Sequence, residues 1–202
     1  VALYELGRDE HQFFFTMELV RGSALLKYLW GSEPAETPSP DPDGAARPLA
    51  SPVADFTRLR AVFAQLAEGV HTLHQAHKLH RDIKPTNVMV TPHGRVVLMD
   101  FGFVGEQSVG GNFDSTAGSM VVGTPAYMAP EQFTRRTADA RSDQFAFCVA
   151  MYEALYGRRP FTGDTLAGLI DSITAGRMPA RPPGCDIPPW VHAVLVRGLQ
   201  TD

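Results

Sequence analysis

The chain has 202 residues, 44% of them hydrophobic, enough for one ordinary soluble domain with a sizeable core or for most of a larger one; no second domain is required. A net charge of -4 and the lack of any long Lys/Arg run argue against an intrinsic nucleic-acid or anionic-membrane surface, both of which need clustered positive charge. The cysteines, Cys148 and Cys185, have no CxxC spacing and are too few for a disulfide framework, so a reducing, cytoplasmic compartment is expected.

The sequence opens at Val1 with no basic stretch leading into an apolar one, so no signal peptide is visible and the start looks cut. Residues 1–6 and 13–20 are rich in aromatic and aliphatic side chains and flank the polar turn Gly7-Arg8-Asp9-Glu10, which predicts a β-hairpin. Residues 22–30 predict a short helix. Residues 31–55 then carry six prolines, several acids and almost no large apolar residue. Such a segment buries too little surface to offset its ordering entropy and is expected to be a disordered surface insertion.

Asp55 is placed to cap a long helix in which Phe56, Leu59, Val62, Phe63, Leu66, Val70 and Leu73 recur at three- and four-residue spacing, giving one apolar face. His71, His74, His77 and His80 also recur every three residues, but no acidic or thiol ligand accompanies them, so a metal site is not expected there. Next comes His80-Arg81-Asp82-Ile83-Lys84-Pro85-Thr86-Asn87, followed by two short apolar runs, 88–90 and 96–99, around the turn Thr91-Pro92-His93-Gly94, and then Asp100-Phe101-Gly102. Two carboxylates, an amide oxygen, a lysine and an arginine fall close together here, the set needed to position a phosphoryl donor and a hydroxyl acceptor.

Residues 103–122 are rich in Gly and Ser with little periodicity, the composition of a mobile loop, and lead into Gly123-Thr124-Pro125-Ala126-Tyr127-Met128-Ala129-Pro130-Glu131. Residues 141–156 are apolar nearly all round, which predicts a helix buried on every side with Cys148 as an inert thiol; containing Glu153, this stretch is well short of the roughly 20 apolar residues that cross a bilayer. Asp143, near its start, suits the helix dipole. Further helices are expected over 164–175 and from Pro188-Pro189-Trp190 onward.

The strings from His80 to Asn87, Asp100-Phe101-Gly102 and Ala129-Pro130-Glu131 resemble the catalytic loop, metal-binding motif and activation-segment end of the protein kinases, with Ile83 where the usual pattern has Leu. Arg141-Ser142-Asp143-Gln144 and Ala129-Pro130-Glu131-Gln132 further resemble the eukaryotic-like (Hanks-type) serine/threonine kinases of bacteria. The resemblance implies an α+β, kinase-like fold: a remnant small-lobe hairpin and hinge over 1–20, and a mainly helical large lobe over 21–202. It also implies transfer of the ATP gamma-phosphate to Ser/Thr hydroxyls of a protein substrate, with magnesium or manganese as cofactor.

Residue by residue, the resemblance makes Asp82 the group that orients the acceptor hydroxyl and takes its proton, and Lys84 the contact to the transferring phosphate. Asn87 and Asp100 become the metal ligands. Met17 becomes the gatekeeper, the backbone of Glu18 and Val20 the adenine edge, and Met89 the surface under the adenine ring. Leu3, His80 and Phe101 fall at stacked-spine positions, with Gly102 completing its motif. Thr124 would bond Asp82 and Lys84, and its Gly-Thr setting, like Lys84, implies serine/threonine specificity. Asp143 would anchor the catalytic-loop backbone. Arg81 implies control by phosphorylation of the activation segment, at Ser115, Thr116 or Ser119.

No G-x-G-x-x-G loop occurs, and nothing before Val1 supplies the strand lysine or its glutamate partner. By the family pattern the arginine that pairs Glu131 lies just beyond Asp202, so an unpaired carboxylate is expected at Glu131. The expectation is therefore a fragment, cut at both ends, with no appreciable activity alone. The alternative is a pseudokinase scaffold, against which intact Asp82, Lys84, Asn87 and Asp100 speak.

Overall fold

The structure, a computed structural model, describes residues 3–8, 13–31, 53, 55–100, 124–133 and 138–201, without the side chains of Leu3, Leu6, Phe13, Phe15 and Thr124. Phe101, Gly102, Ser115, Thr116, Ser119 and nearly all of the proline-rich insertion lie outside the described residues.

Strands β1 (Leu3–Arg8) and β2 (Phe13–Met17) pair antiparallel, Arg8 opposite Phe13 and Leu3 opposite Met17. The second strand stops at Met17, short of the expected Val20. The predicted helix over 22–30 is divided: Ser23–Ala24 form strand β3, and only Leu25–Trp30 form helix α1. Gly22 explains the difference, because a Cβ there would lie 2.4 Å from the Val90 carbonyl oxygen, so glycine alone lets the chain lie against the neighbouring strand.

Helix α2 (Phe56–Gln75) begins where Asp55 accepts the N–H groups of Thr57 and Arg58. Leu59, Val62, Phe63, Leu66 and Val70 are buried, whereas Phe56, the first helical residue, stays exposed and does not join the apolar face. A 3-10 turn, Pro85–Asn87, leads into β4 (Val88–Val90), which pairs with β5 (Val96–Leu98) on one side and β3 on the other.

Beyond the one-turn helix α3 (Pro130–Phe133) lies α4 (Ala140–Tyr156), capped by a reciprocal pair: Asp139 accepts the Arg141 N–H, and Ser142 Oγ accepts the Asp139 N–H. Val149, Ala150, Tyr152 and Ala154 are inaccessible to solvent. Burial is not complete on every side, since Arg141 and Gln144 in the first turns are exposed. Phe63 meets Phe147 edge to face at 5.5 Å, joining α2 to α4. Trp30 Nε1 donates to the Ala154 carbonyl at 3.0 Å, fastening α1 to the same helix.

Helix α5 (Leu166–Thr174) starts two residues later than the composition suggests because Thr165 Oγ1, not Asp164, accepts the capping N–H, from Gly168. Helix α6 (Pro189–Gly198) opens on proline, whose fixed φ suits the first helical position. Its last residue lies so close to α4 that a Cβ on Gly198 would sit 2.4 Å from Cys148 Sγ. Cys148 and Cys185 are free and buried, and burial pushes the Cys148 thiol up to about 11. Among the described residues no helix is long and apolar enough to cross a membrane.

Candidate active site

The loop after α2 is held from beneath by one carboxylate. Asp143, in the first turn of α4 and 1% exposed, accepts the His80 N–H on Oδ2 at 2.9 Å and the Arg81 N–H on Oδ1 at 2.8 Å. His74 Nε2 also reaches Oδ2, at 2.9 Å. Arg81 sits at φ 66, a left-handed conformation that costs an L-residue roughly 1–2 kcal/mol. Buried hydrogen bonds to a charged acceptor, each contributing about 1.5–3 kcal/mol, offset that strain and fix the bend.

His80 is fully buried, with Nε2 3.0 Å from the Met99 carbonyl and Nδ1 3.3 Å from the Asp82 N–H. The carbonyl can only accept and the amide only donate, so the neutral Nε2–H tautomer satisfies both contacts. Burial, the largest influence, lowers the His80 pKa from 6.5 against the upward pull of the Met99 carbonyl and of Asp143, Asp82 and Asp100. His74 and His80 are thus each engaged with the loop or its anchor.

Two donors converge on Asp82: Lys84 Nζ at 2.7 Å and Asn87 Nδ2 at 2.8 Å, both to Oδ2, while Asn87 Nδ2 also meets the Asp82 carbonyl at 2.9 Å. Asn87 is buried in the 3-10 turn, and its own carbonyl accepts the Met99 N–H at 2.7 Å, which ties the turn to the strand leading into Asp100. With its amide nitrogen committed to Asp82, Asn87 has its Oδ1 oriented away from that contact. Asp100 is exposed and also left-handed, at φ 52. An amide oxygen and an exposed carboxylate are hard donors that fit a small divalent cation.

Beside this loop, Arg81, Asp82, Ile83, Tyr127, Met128 and Ala146 line a shallow cleft. Tyr127, in the 3-10 turn Thr124–Tyr127, donates its hydroxyl to Glu153 Oε2 at 2.5 Å. Burial is the main cause that raises the pKa of both groups. The sequence reading did not pair them; the signal was Glu153 itself, a carboxylate inside an otherwise apolar helix. The Thr124 side chain, expected to meet Asp82 and Lys84, lies outside the described residues. Glu131 is not left unpaired as expected, because Ser142 Oγ donates to its Oε1 at 2.5 Å.

At the other end, Met17, Glu18 and Val20 are half-buried beside β2, and Met89 is half-buried in β4 opposite Ala24 and Val97. The Leu3 backbone pairs with Met17, while its side chain lies outside the description. Arg95, unremarked in the sequence, donates to both carboxylate oxygens of Glu18, at 2.7 and 3.3 Å.

A family model described as a protein kinase domain matches residues 1–183. Among curated proteins, the chain is 35% identical over 165 residues to serine/threonine-protein kinase PknL of Mycobacterium tuberculosis, covering 82% of this chain and 36% of PknL. It is 33% identical over 139 residues to PknB of Mycolicibacterium smegmatis, 68% of this chain and 22% of the relative. With PknH of Mycobacterium tuberculosis the figures are 30% over 202 residues, 98% and 28%. The chain therefore spans between 22% and 36% of the length of these relatives.

Proposed function

Because the chain belongs to the protein kinase family, we propose that it carries the acceptor-side and metal-side machinery of an ATP-dependent serine/threonine protein kinase, the complete protein performing the transfer. Residues 1–20 end the small lobe and hinge, and 21–202 form most of the large lobe. The observation that carries the reading is the convergence of Lys84 and Asn87 on one oxygen of Asp82, in a loop pinned by Asp143.

Phosphoryl transfer asks a protein mainly for alignment and charge neutralisation. With both donors on Oδ2, Asp82 turns Oδ1 to the hydroxyl of a Ser or Thr in the shallow cleft, orients it and takes its proton. Lys84, one hydrogen bond away, meets the phosphoryl oxygens as the bond to the acceptor forms. Asn87 Oδ1 and Asp100 would hold magnesium, which supplies positive charge to the ATP phosphates. The backbone of Glu18 and Val20 receives the adenine edge beside Met17 and over Met89. Arg81, exposed at the cleft, offers a partner to a phosphate on Ser115, Thr116 or Ser119.

The test is ATP- and magnesium-dependent phosphorylation of a protein substrate by the complete protein, with Asp82→Asn as control. Transfer is expected to fall by at least about a hundredfold in that variant with nucleotide binding retained. An Asp82→Asn protein as active as the parent would remove Asp82 from its assigned role.

A further inference from the structure

Arg95 stands on a turn that is braced before its side chain does anything. Thr91 N–H meets the Arg95 carbonyl at 2.9 Å, Gly94 N–H the Thr91 carbonyl at 2.9 Å, and Arg95 N–H the Thr91 hydroxyl at 3.1 Å. From α2, Gln65 grips both flanks of the same residue: Nε2 donates to the Gly94 carbonyl at 2.9 Å, and Oε1 accepts the Val96 N–H at 3.2 Å. The guanidinium then reaches across 77 positions of sequence to Glu18, the first residue beyond β2.

We infer that Arg95 is a positioning residue for the nucleotide, acting through Glu18 as a strap between the chain that meets the adenine edge and the hairpin that lies beneath the ring. The functional half of this inference rests on the kinase reading.

Exposed ion pairs usually contribute little, because two long side chains must be ordered for a contact that water screens. Here the arginine backbone is already fixed, and the contact is two-pronged, the geometry in which such pairs are strongest. The strap adds a side-chain tie to the one the backbone makes through β3. Residues 18–20 run on within three residues to β3, where Ala24 pairs with Met89 of β4, while Arg95 ties Glu18 to the turn that follows β4. Loosening it widens the gap that adenine must fill from both sides. It does not touch Asp82, which Lys84 and Asn87 hold, or Asn87, whose backbone carbonyl takes the Met99 N–H.

The experiment compares Arg95→Ala, Arg95→Lys and the swap Glu18→Arg/Arg95→Glu in the complete protein, reading amide hydrogen exchange at residues 18–20 together with KM for ATP and kcat. Arg95→Ala is expected to speed exchange there and raise KM for ATP about three- to fivefold at unchanged kcat. Lysine, lacking the fork, should restore part of the loss and the swap most of it. At about 1 M salt, where the screening length is about 3 Å, the wild type should drift toward the alanine variant. A KM for ATP that stays at the wild-type value, or a swap no better than alanine, overturns the inference while the kinase reading stands. If the complete protein transfers no phosphate, the kinase reading falls, and unchanged exchange at 18–20 would then sink the strap as well.

Discussion

Asp143 holds Arg81 by its backbone: Oδ1 accepts the Arg81 N–H at 2.8 Å, and Arg81 stays at φ 66. Asp143→Ala strips the acceptor from two backbone donors and from His74 at once. It is expected to lower stability by about 3 kcal/mol or more in urea denaturation. Asp143→Asn keeps one accepting oxygen but turns an NH2 group toward a donor, so it should recover only part of the loss.

His80 is expected to stay neutral, as the Nε2–H tautomer, at pH values where ordinary histidines are half protonated; nitrogen chemical shifts report this directly. Above pH 6.5, folded and unfolded chains both hold a neutral ring. As pH falls below 6.5 the unfolded chain takes the proton first, because burial lowers the folded value. Stability should therefore drop on acidification with a slope of up to about 1.4 kcal/mol per pH unit from this group. A His80 that titrates at or above 6.5 contradicts the hydrogen-bond assignment.

Tyr127 and Glu153 should be separable by pH. The Glu153 carboxyl has its pKa raised by burial above 4.5, so the folded state favours its neutral form. The associated cost is absent below the unfolded value, grows as pH rises from it, and is complete once pH has passed the higher folded one. Glu153→Gln is expected to flatten that dependence. Tyr127→Phe, which leaves the carboxylate without its donor, should steepen it and cost about 1–3 kcal/mol near neutral pH. Denaturation midpoints from pH 4 to 8 give the comparison.

Gly198→Ala should destabilise by about 1–3 kcal/mol through overpacking, since the new methyl would fall 2.4 Å from Cys148 Sγ. Cys148→Ala vacates that volume, so the double variant is expected to be less destabilised than the sum of the two singles. Thermal denaturation of all four proteins measures the coupling. Strict additivity would mean that the helices separate rather than clash.

What the sequence made legible follows the range of each signal. The Asp55 cap, the apolar stripe of α2 and the Pro/Gly turn between β4 and β5 are local patterns, and each element lies within a residue or two of its expected place. β3 escaped because two residues carry no periodicity; its cue was Gly22, whose need for close approach shows only once Val90 lies beside it. The groups gathered from His80 to Asn87 could be read as one site because they are neighbours in sequence. The contacts between Tyr127 and Glu153, and between Arg95 and Glu18, join residues 26 and 77 positions apart and leave no local trace.

Trp30 and Asp55 are fastened independently, the indole to the Ala154 carbonyl and the carboxylate to the first turn of α2, with Val53 buried just before it. The chain between Gly31 and Val53 thus joins two ends that do not depend on it for their positions. Closure entropy grows slowly with the length of a connection, by about 0.6 kcal/mol per doubling. This is consequently the place where sequence can be gained, lost or replaced by a reporter domain while the pinned loop from His80 to Asn87 keeps its geometry.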